Sequence, residues 1–169
     1  MTLSSVKNEE MVVVGLGEMQ VSNDPNMVLA CLGLGSCIGI SAYDPVARVG
    51  AMVHVVLPHG NNIDCGKSPT KYANTALPIM VNAMERKGAI KSRIVLKIAG
   101  GAKIIHTIAV GSILDIGDRN IAAVKKAVAE NKLSIKAEDI RGTLGRSMWL
   151  NVDTGVTKFR TTASAVGEL

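Results

Sequence analysis

Aromatic side chains are nearly missing from this chain. Its 169 residues hold one Trp, two Tyr and one Phe, although 47% are hydrophobic. A sheet that stacks bases needs exposed aromatic rings, and Trp149, Tyr43, Tyr72 and Phe159 cannot supply such a platform. Dense basic clusters are missing too. No Lys/Arg run exceeds Lys125-Lys126, within a net charge of +5. These two absences exclude nucleic acid as an expected partner. A mild positive charge speaks to association with acidic partners rather than to fold.

Residues 1–10 are polar and lack the apolar stretch and small-residue cleavage site of a secretory signal. The expectation is a cytoplasmic protein. One uncharged run, residues 25–43, approaches the ~20 residues that span a bilayer. It contains Gly33, Gly35 and Gly39 and runs into Asp44-Pro45, so it reads as two buried strands and a bend, without membrane insertion. Cys31, Cys37 and Cys65 make an odd count, and a disulfide framework is not expected in a reducing compartment. Neither a C-x-x-C nor an H-x-x-x-H pair occurs among Cys31, Cys37, Cys65, His54, His59 and His106. Zinc therefore has no ligand spacing to use, and no metal or cofactor is expected.

What is present is aliphatic. β-branched and apolar runs read as strands at residues 11–15, 28–34, 38–43, 49–57, 93–99, 135–142, 147–152 and 156–160. Asp153-Thr154-Gly155 turns the last two into a hairpin. Ser68-Pro69 opens a helix running to about residue 87, with Tyr72, Ala76, Met80 and Met84 along one face. A second amphipathic helix covers 118–132, striped by Ile121, Val124, Ala127 and Val128. Residues 102–114 are apolar without a clear period. Residues 1–10 are read as a flexible N-terminus, 11–160 as one domain and 161–169 as a frayed C-terminal tail. The fold class is a mixed α/β (α+β) layered sandwich, with mixed sheets flanked by helices.

The chemistry concentrates between Gly33 and His54. Cys37 lies in GLGSCIG, where glycines allow tight bending and close approach. A dinucleotide fingerprint fails, because the spacing is G-x-G-x-x-x-G and a strand follows. A nucleophile elbow fails for want of a following helix. The run from Cys37 to His54 reads as a hairpin, with Asp44-Pro45 starting a type I turn. A turn centred between Pro45 and Val46 sets Cys37 opposite His54, with Cβ atoms ~5 Å apart. Such a pair can work as thiolate nucleophile and imidazole base. The backbone around Gly35, Ser36 and Cys37 offers N–H groups to an oxyanion. Each residue alone also fits a core role, Cys37 as a small buried side chain and His54 as a satisfied core histidine.

In order, GLGSCIGISAYDP, GAMVHVVLP, KYANTALPIM, KIAGGAKI, IGDRN and RGTLGRSMWLNVDTG resemble the CheD family of chemoreceptor glutamine deamidases. The resemblance extends over residues 11–160. It implies that Cys37 is the nucleophile and His54 the catalytic histidine. The implied reaction is hydrolysis of glutamine side chains to glutamate on the cytoplasmic helices of methyl-accepting chemotaxis receptors. It also implies a CheC-type CheY-phosphate phosphatase as a partner, and a layered fold similar to that of Cys–His toxin deamidases. Where the family commonly has a His-orienting Thr, this chain has Cys31, and sulfur is a weak acceptor. That departure leaves an alternative: a module that binds receptor or phosphatase with weak or no catalysis. A further alternative is a cysteine amidase or esterase on another substrate, including receptor methyl esters. Under the resemblance, the +5 charge favours encounter with Glu-rich receptor helices.

Overall fold

A computed structural model describes residues 8–61, 66–103 and 116–169. In chain order the strands are β1 (Glu10–Val13), β2 (Met19–Ser22), β3 (Met27–Leu34), β4 (Ile38–Asp44), β5 (Val49–Val55), β6 (Val95–Gly100), β7 (Ile135–Ile140), β8 (Arg146–Asn151), β9 (Thr157–Thr161) and β10 (Val166–Glu168). Helix α1 (Ala73–Glu85) follows β5, and α2 (Ile116–Glu130) lies between β6 and β7. One sheet has the order β1-β3-β8-β9-β10 and the other β2-β5-β4-β6-β7. Each is mixed: β1 runs parallel to β3 and β6 parallel to β7, while the remaining pairs are antiparallel.

Strand alternation sorts side chains into two cores. Ile38, Ile40 and Ala42 of β4 join Val49, Ala51, Val53 and Val55 of β5 beneath the two helices. Of the expected face, Ala76, Met80 and Met84 are buried there, as are Ile121, Val124, Ala127 and Val128 of α2; Tyr72 is buried as well. The other face of β4 and β5 turns to the first sheet. There Leu29, Cys31, Leu34, Met52, Met148 and Leu150 form a second cluster. Gly39 is what lets the sheets approach: a Cβ on it would sit 2.4 Å from Met148 Sδ. The molecule is thus an α+β sandwich of sheet, sheet and helices.

Several expected boundaries move. The first turn after Ser68 is a 3-10 turn, Pro69–Lys71, without a side-chain cap, and Tyr72 is extended before α1 begins. Strand β2 was not anticipated; it lines the edge beside β5. The tail expected to fray beyond residue 160 instead folds back as β10 on β9. Ser164 at φ 67° makes the turn, Thr161 N–H donates to the Ala165 carbonyl, and Gly167 leaves room for the Phe159 ring. A reversal pinned at both ends needs no apolar run, so composition alone did not signal it. Most of the ambiguous 102–114 segment, with His106, lies outside the described residues, as does Cys65.

Candidate active site

The β4–β5 hairpin sets the site's frame, and its register differs from the expected one. His54 pairs with Gly39, and Ile38 with Val55. The connection is a four-residue loop, 45–48, rather than a two-residue turn. Asp44 Oδ1 accepts from the N–H groups of Val46 (2.9 Å) and Ala47 (3.1 Å), and Arg48 closes the loop in the left-handed region at φ 52°. The ladder therefore slips by two residues, and a slip of two preserves which face each side chain takes. Cys37 is not directly opposite His54. It lies two residues before Gly39, in the bend ahead of β4, and packs on the inter-sheet cluster that the Gly39 face also meets.

His54 is 2% exposed. Its Nδ1 lies 3.3 Å from the Val14 carbonyl. A carbonyl only accepts, so Nδ1 carries the proton and Nε2 presents a bare lone pair. Nε2 is buried and without a hydrogen-bond partner among the described residues. Val14 follows β1, and the segment after it is tied to the same histidine: Gly17 N–H donates to the His54 carbonyl and His54 N–H to the Glu18 carbonyl. Burial holds the imidazole pKa below its ordinary 6.5, partly offset by the Val14 bond. The ring is thus neutral near pH 7 and ready to accept a proton.

The two described thiols differ sharply. Cys31 is fully buried, and burial, then the nearby Cys37, push its thiol up to about 12. Cys37 is half-buried; burial raises its thiol above 9.0, while its own backbone N–H pulls the other way. Of the two, Cys37 is the more accessible thiol, and both it and the His54 ring are held toward their neutral forms by burial. Of the two ring nitrogens, Nε2 alone is unengaged among the described residues and open to take a proton. Cys31, the expected orienting position, forms no hydrogen bond with the ring; the Val14 carbonyl does that.

The loop that carries Cys37 is held by its carbonyls. Gly35 O accepts from Ala102 N–H (2.8 Å) and Cys37 O from Gly101 N–H (2.9 Å). Ser36 O accepts from Asn120 Nδ2 at 2.9 Å. With these three acceptors fixed on one side, the N–H groups of Gly35 and Ser36 make no bond among the described residues. Two backbone donors next to Cys37 are thus left open among the described residues. Gly100 (φ 119°) and Gly101 (φ 66°) make the contact possible, since a Cβ on Gly100 would stand 2.1 Å from the Cys37 carbonyl oxygen. In the sequence this pair stands only as the middle of KIAGGAKI, just past the strand read at 93–99. Val14 and Asn120 carry no site role in the sequence, because a backbone acceptor and a distant amide give no local signal.

Among the described residues no group of three or more His, Cys, Asp or Glu could hold a metal ion, and His59 is exposed. Among the same residues no helix is long and apolar enough to cross a membrane.

Comparison with known proteins places the chain among named relatives. The chain is 43% identical to the probable chemoreceptor glutamine deamidase CheD of Symbiobacterium thermophilum, over 96% of both chains. It is 34% identical to the protein of the same name from Clostridium novyi, over 94% of this chain and 98% of that one. With that from Desulforamulus reducens it shares 35%, over 94% and 95%. Among solved structures, a Bacillus licheniformis hypothetical protein, YfiH, superposes with a TM-score of 0.44 at 14% identity, covering 80% of this chain and 61% of that one. The family described as "CheD chemotactic sensory transduction" matches residues 56–161. With the relatives aligned across the Cys37–His54 hairpin as well, the chain belongs to the CheD family.

Proposed function

We propose that this protein hydrolyses selected glutamine side chains of chemotaxis receptors to glutamate, with Cys37 as nucleophile and His54 as base and acid. The observation that carries the reading is His54 itself. It is a buried, neutral imidazole whose Nδ1 is held by Val14 O and whose Nε2 has no partner, on the strand beside the Cys37 bend. The names of the relatives supply the substrate class.

The chemistry follows from those protonation states. His54 Nε2 takes the thiol proton as sulfur attacks the carboxamide carbon. The oxyanion gathers N–H donors from the Gly35–Ser36 backbone. Collapse breaks the C–N bond, and the imidazolium proton leaves with ammonia, giving a thioester. Water then gives a proton to His54 and its oxygen to the acyl carbon. The thioester opens to glutamate, and sulfur recovers its proton. A CheC-type phosphatase is a proposed partner that competes with receptors for the protein.

The test is incubation with receptor cytoplasmic fragments, following by peptide mass spectrometry the conversion of glutamine to glutamate. Wild-type protein should convert specific glutamines, and Cys37→Ala and His54→Ala should not. Equal conversion by Cys37→Ala would sink the cysteine mechanism. Receptor binding without conversion by wild type would instead favour a regulatory binding module. Methanol release from methylated receptor would mark an esterase.

A further inference from the structure

Among the described residues, two buried side-chain polar atoms lack a hydrogen-bond partner: His54 Nε2 and Asn120 Oδ1. Unpaired buried groups are costly and uncommon, and they concentrate where function requires them. The first belongs to the site. The second belongs to a residue of α2 that sequence reading left without a role.

Asn120 is 0% exposed. Its Nδ2 donates to two carbonyls, Ser36 O and Val56 O, each at 2.9 Å. Ser36 directly precedes the nucleophile, and Val56 stands two residues past His54. One amide group thus ties the end of the loop carrying the thiol to the end of the strand carrying the imidazole. A carbonyl pair can be satisfied only by the NH2 end, so the amide orientation is fixed by its partners. The helix reaches this position because Gly117, one turn earlier, has no side chain: a Cβ there would stand 2.7 Å from the Gly101 carbonyl oxygen. The ladder does not make this tie by itself, since Ile38 and Val55 are the last pair of β4 and β5 on that side. Beyond them, Asn120 is what links the Ser36 and Val56 carbonyls.

We propose that Asn120 is a positioning residue, a two-carbonyl clamp that sets the spacing of the Cys37 thiol and His54 Nε2. The assignment deepens the deamidase reading and rests on it for the reaction, but not for the geometry. Its role is distinct from that of core neighbours on the same helix, such as Val128, which packs under the second sheet.

The test has two arms. In the first, Cys37 alkylation by iodoacetamide is followed across pH by peptide mass spectrometry, which needs no substrate. Wild type should show an inflection that His54→Ala lacks. Asn120→Ala should lose that inflection while remaining folded by circular dichroism, and Val128→Ala, a destabilised control, should keep it. In the second arm, deamidation of receptor fragments by Asn120→Ala should fall about 100-fold in kcat, the scale of a misplacement of about 1 Å. KM should be nearly unchanged, and Val128→Ala should retain wild-type kcat. A wild-type alkylation profile in Asn120→Ala would overturn the clamp alone. A wild-type profile equal to that of His54→Ala would overturn the Cys–His pair and the clamp with it. Loss of kcat no greater in Asn120→Ala than in Val128→Ala would reduce the residue to a structural one.

Discussion

His54 pairs with Gly39 across the β4–β5 ladder, and Gly39 is bare because Met148 of the facing sheet occupies the space a side chain would need. The His54 imidazole is therefore indexed to the packing of two sheets as well as to its own strand. Three contacts converge on this arrangement: Val14 O on Nδ1, Met148 over Gly39, and Asn120 between Ser36 O and Val56 O.

Gly39→Ala should cost stability and turnover together. Its Cβ would meet Met148 Sδ at 2.4 Å and Leu34 Cδ1 at 3.0 Å. Overpacking of this kind costs about 1–3 kcal/mol, measurable by urea unfolding. Shortening the neighbour should relieve the clash, so Gly39→Ala/Met148→Val should be less destabilised than the two single changes added together. Strict additivity would show that the contact is absorbed elsewhere.

The pH dependence of deamidation should lean to the acid side. Burial lowers the His54 pKa from 6.5, so the ring stays neutral and able to accept a proton below the usual histidine range. The acid limb of kcat/KM should then have its midpoint below 6.5, vanishing in no variant that leaves His54 intact. Linkage has the same sign. The unfolded chain binds this proton at higher pH than the folded one, so stability contributed by neutral His54 is lost as pH falls below 6.5. An acid limb centred above 6.5 would contradict a desolvated imidazole.

Cys31→Ser should leave kcat within about threefold of wild type, under about 0.7 kcal/mol in activation free energy. The reason is that the Val14 carbonyl already holds Nδ1. The cost should appear in stability instead, since Cys31 is fully buried in the inter-sheet cluster and a hydroxyl there lacks an assured partner. Steady-state deamidation and urea unfolding separate the two effects. A collapse of kcat in a stable variant would return the orienting role to position 31.

Legibility in the sequence followed locality. β4 and β5 could be read from their apolar runs, and α1 and α2 from their faces, because those signals lie within a few neighbouring residues. The hairpin that carries His54 was readable, but its register was not: His54 pairs with Gly39, and Cys37 lies in the bend ahead of β4 rather than opposite it. Asp44-Pro45 announces a turn, yet nothing local requires Arg48 to take φ 52° and lengthen the loop to four residues. Val14 was unreadable as a histidine partner, since its contribution is a carbonyl that every residue owns. Asn120 was unreadable because its partners lie 84 and 64 positions away. β2 and β10 are short, and pairing with established strands, rather than propensity, makes them.

Asp44 should prove to be the residue that holds the hairpin in its working register. It is 0% exposed and gathers the N–H groups of Val46, Ala47 and Ile90 with a two-pronged contact from Arg93. Burial alone would raise its carboxyl, but Arg93 and those N–H groups bring it from 3.8 to about 2. A depressed carboxylate stabilises the fold above its unfolded pKa and loses that contribution as pH falls through the folded one. Wild type should therefore lose about 2 kcal/mol as acid takes the solution from 3.8 to about 2. Asp44→Asn should lose about 3 kcal/mol at neutral pH, because Arg93 keeps its charge without its partner, and its further loss over that acid range should be correspondingly smaller. Urea unfolding across pH measures both. If the folded variant also loses the His54-dependent inflection in Cys37 alkylation, the loop sets the register of the site; if the inflection survives, the Gly39–Met148 contact sets it without the loop.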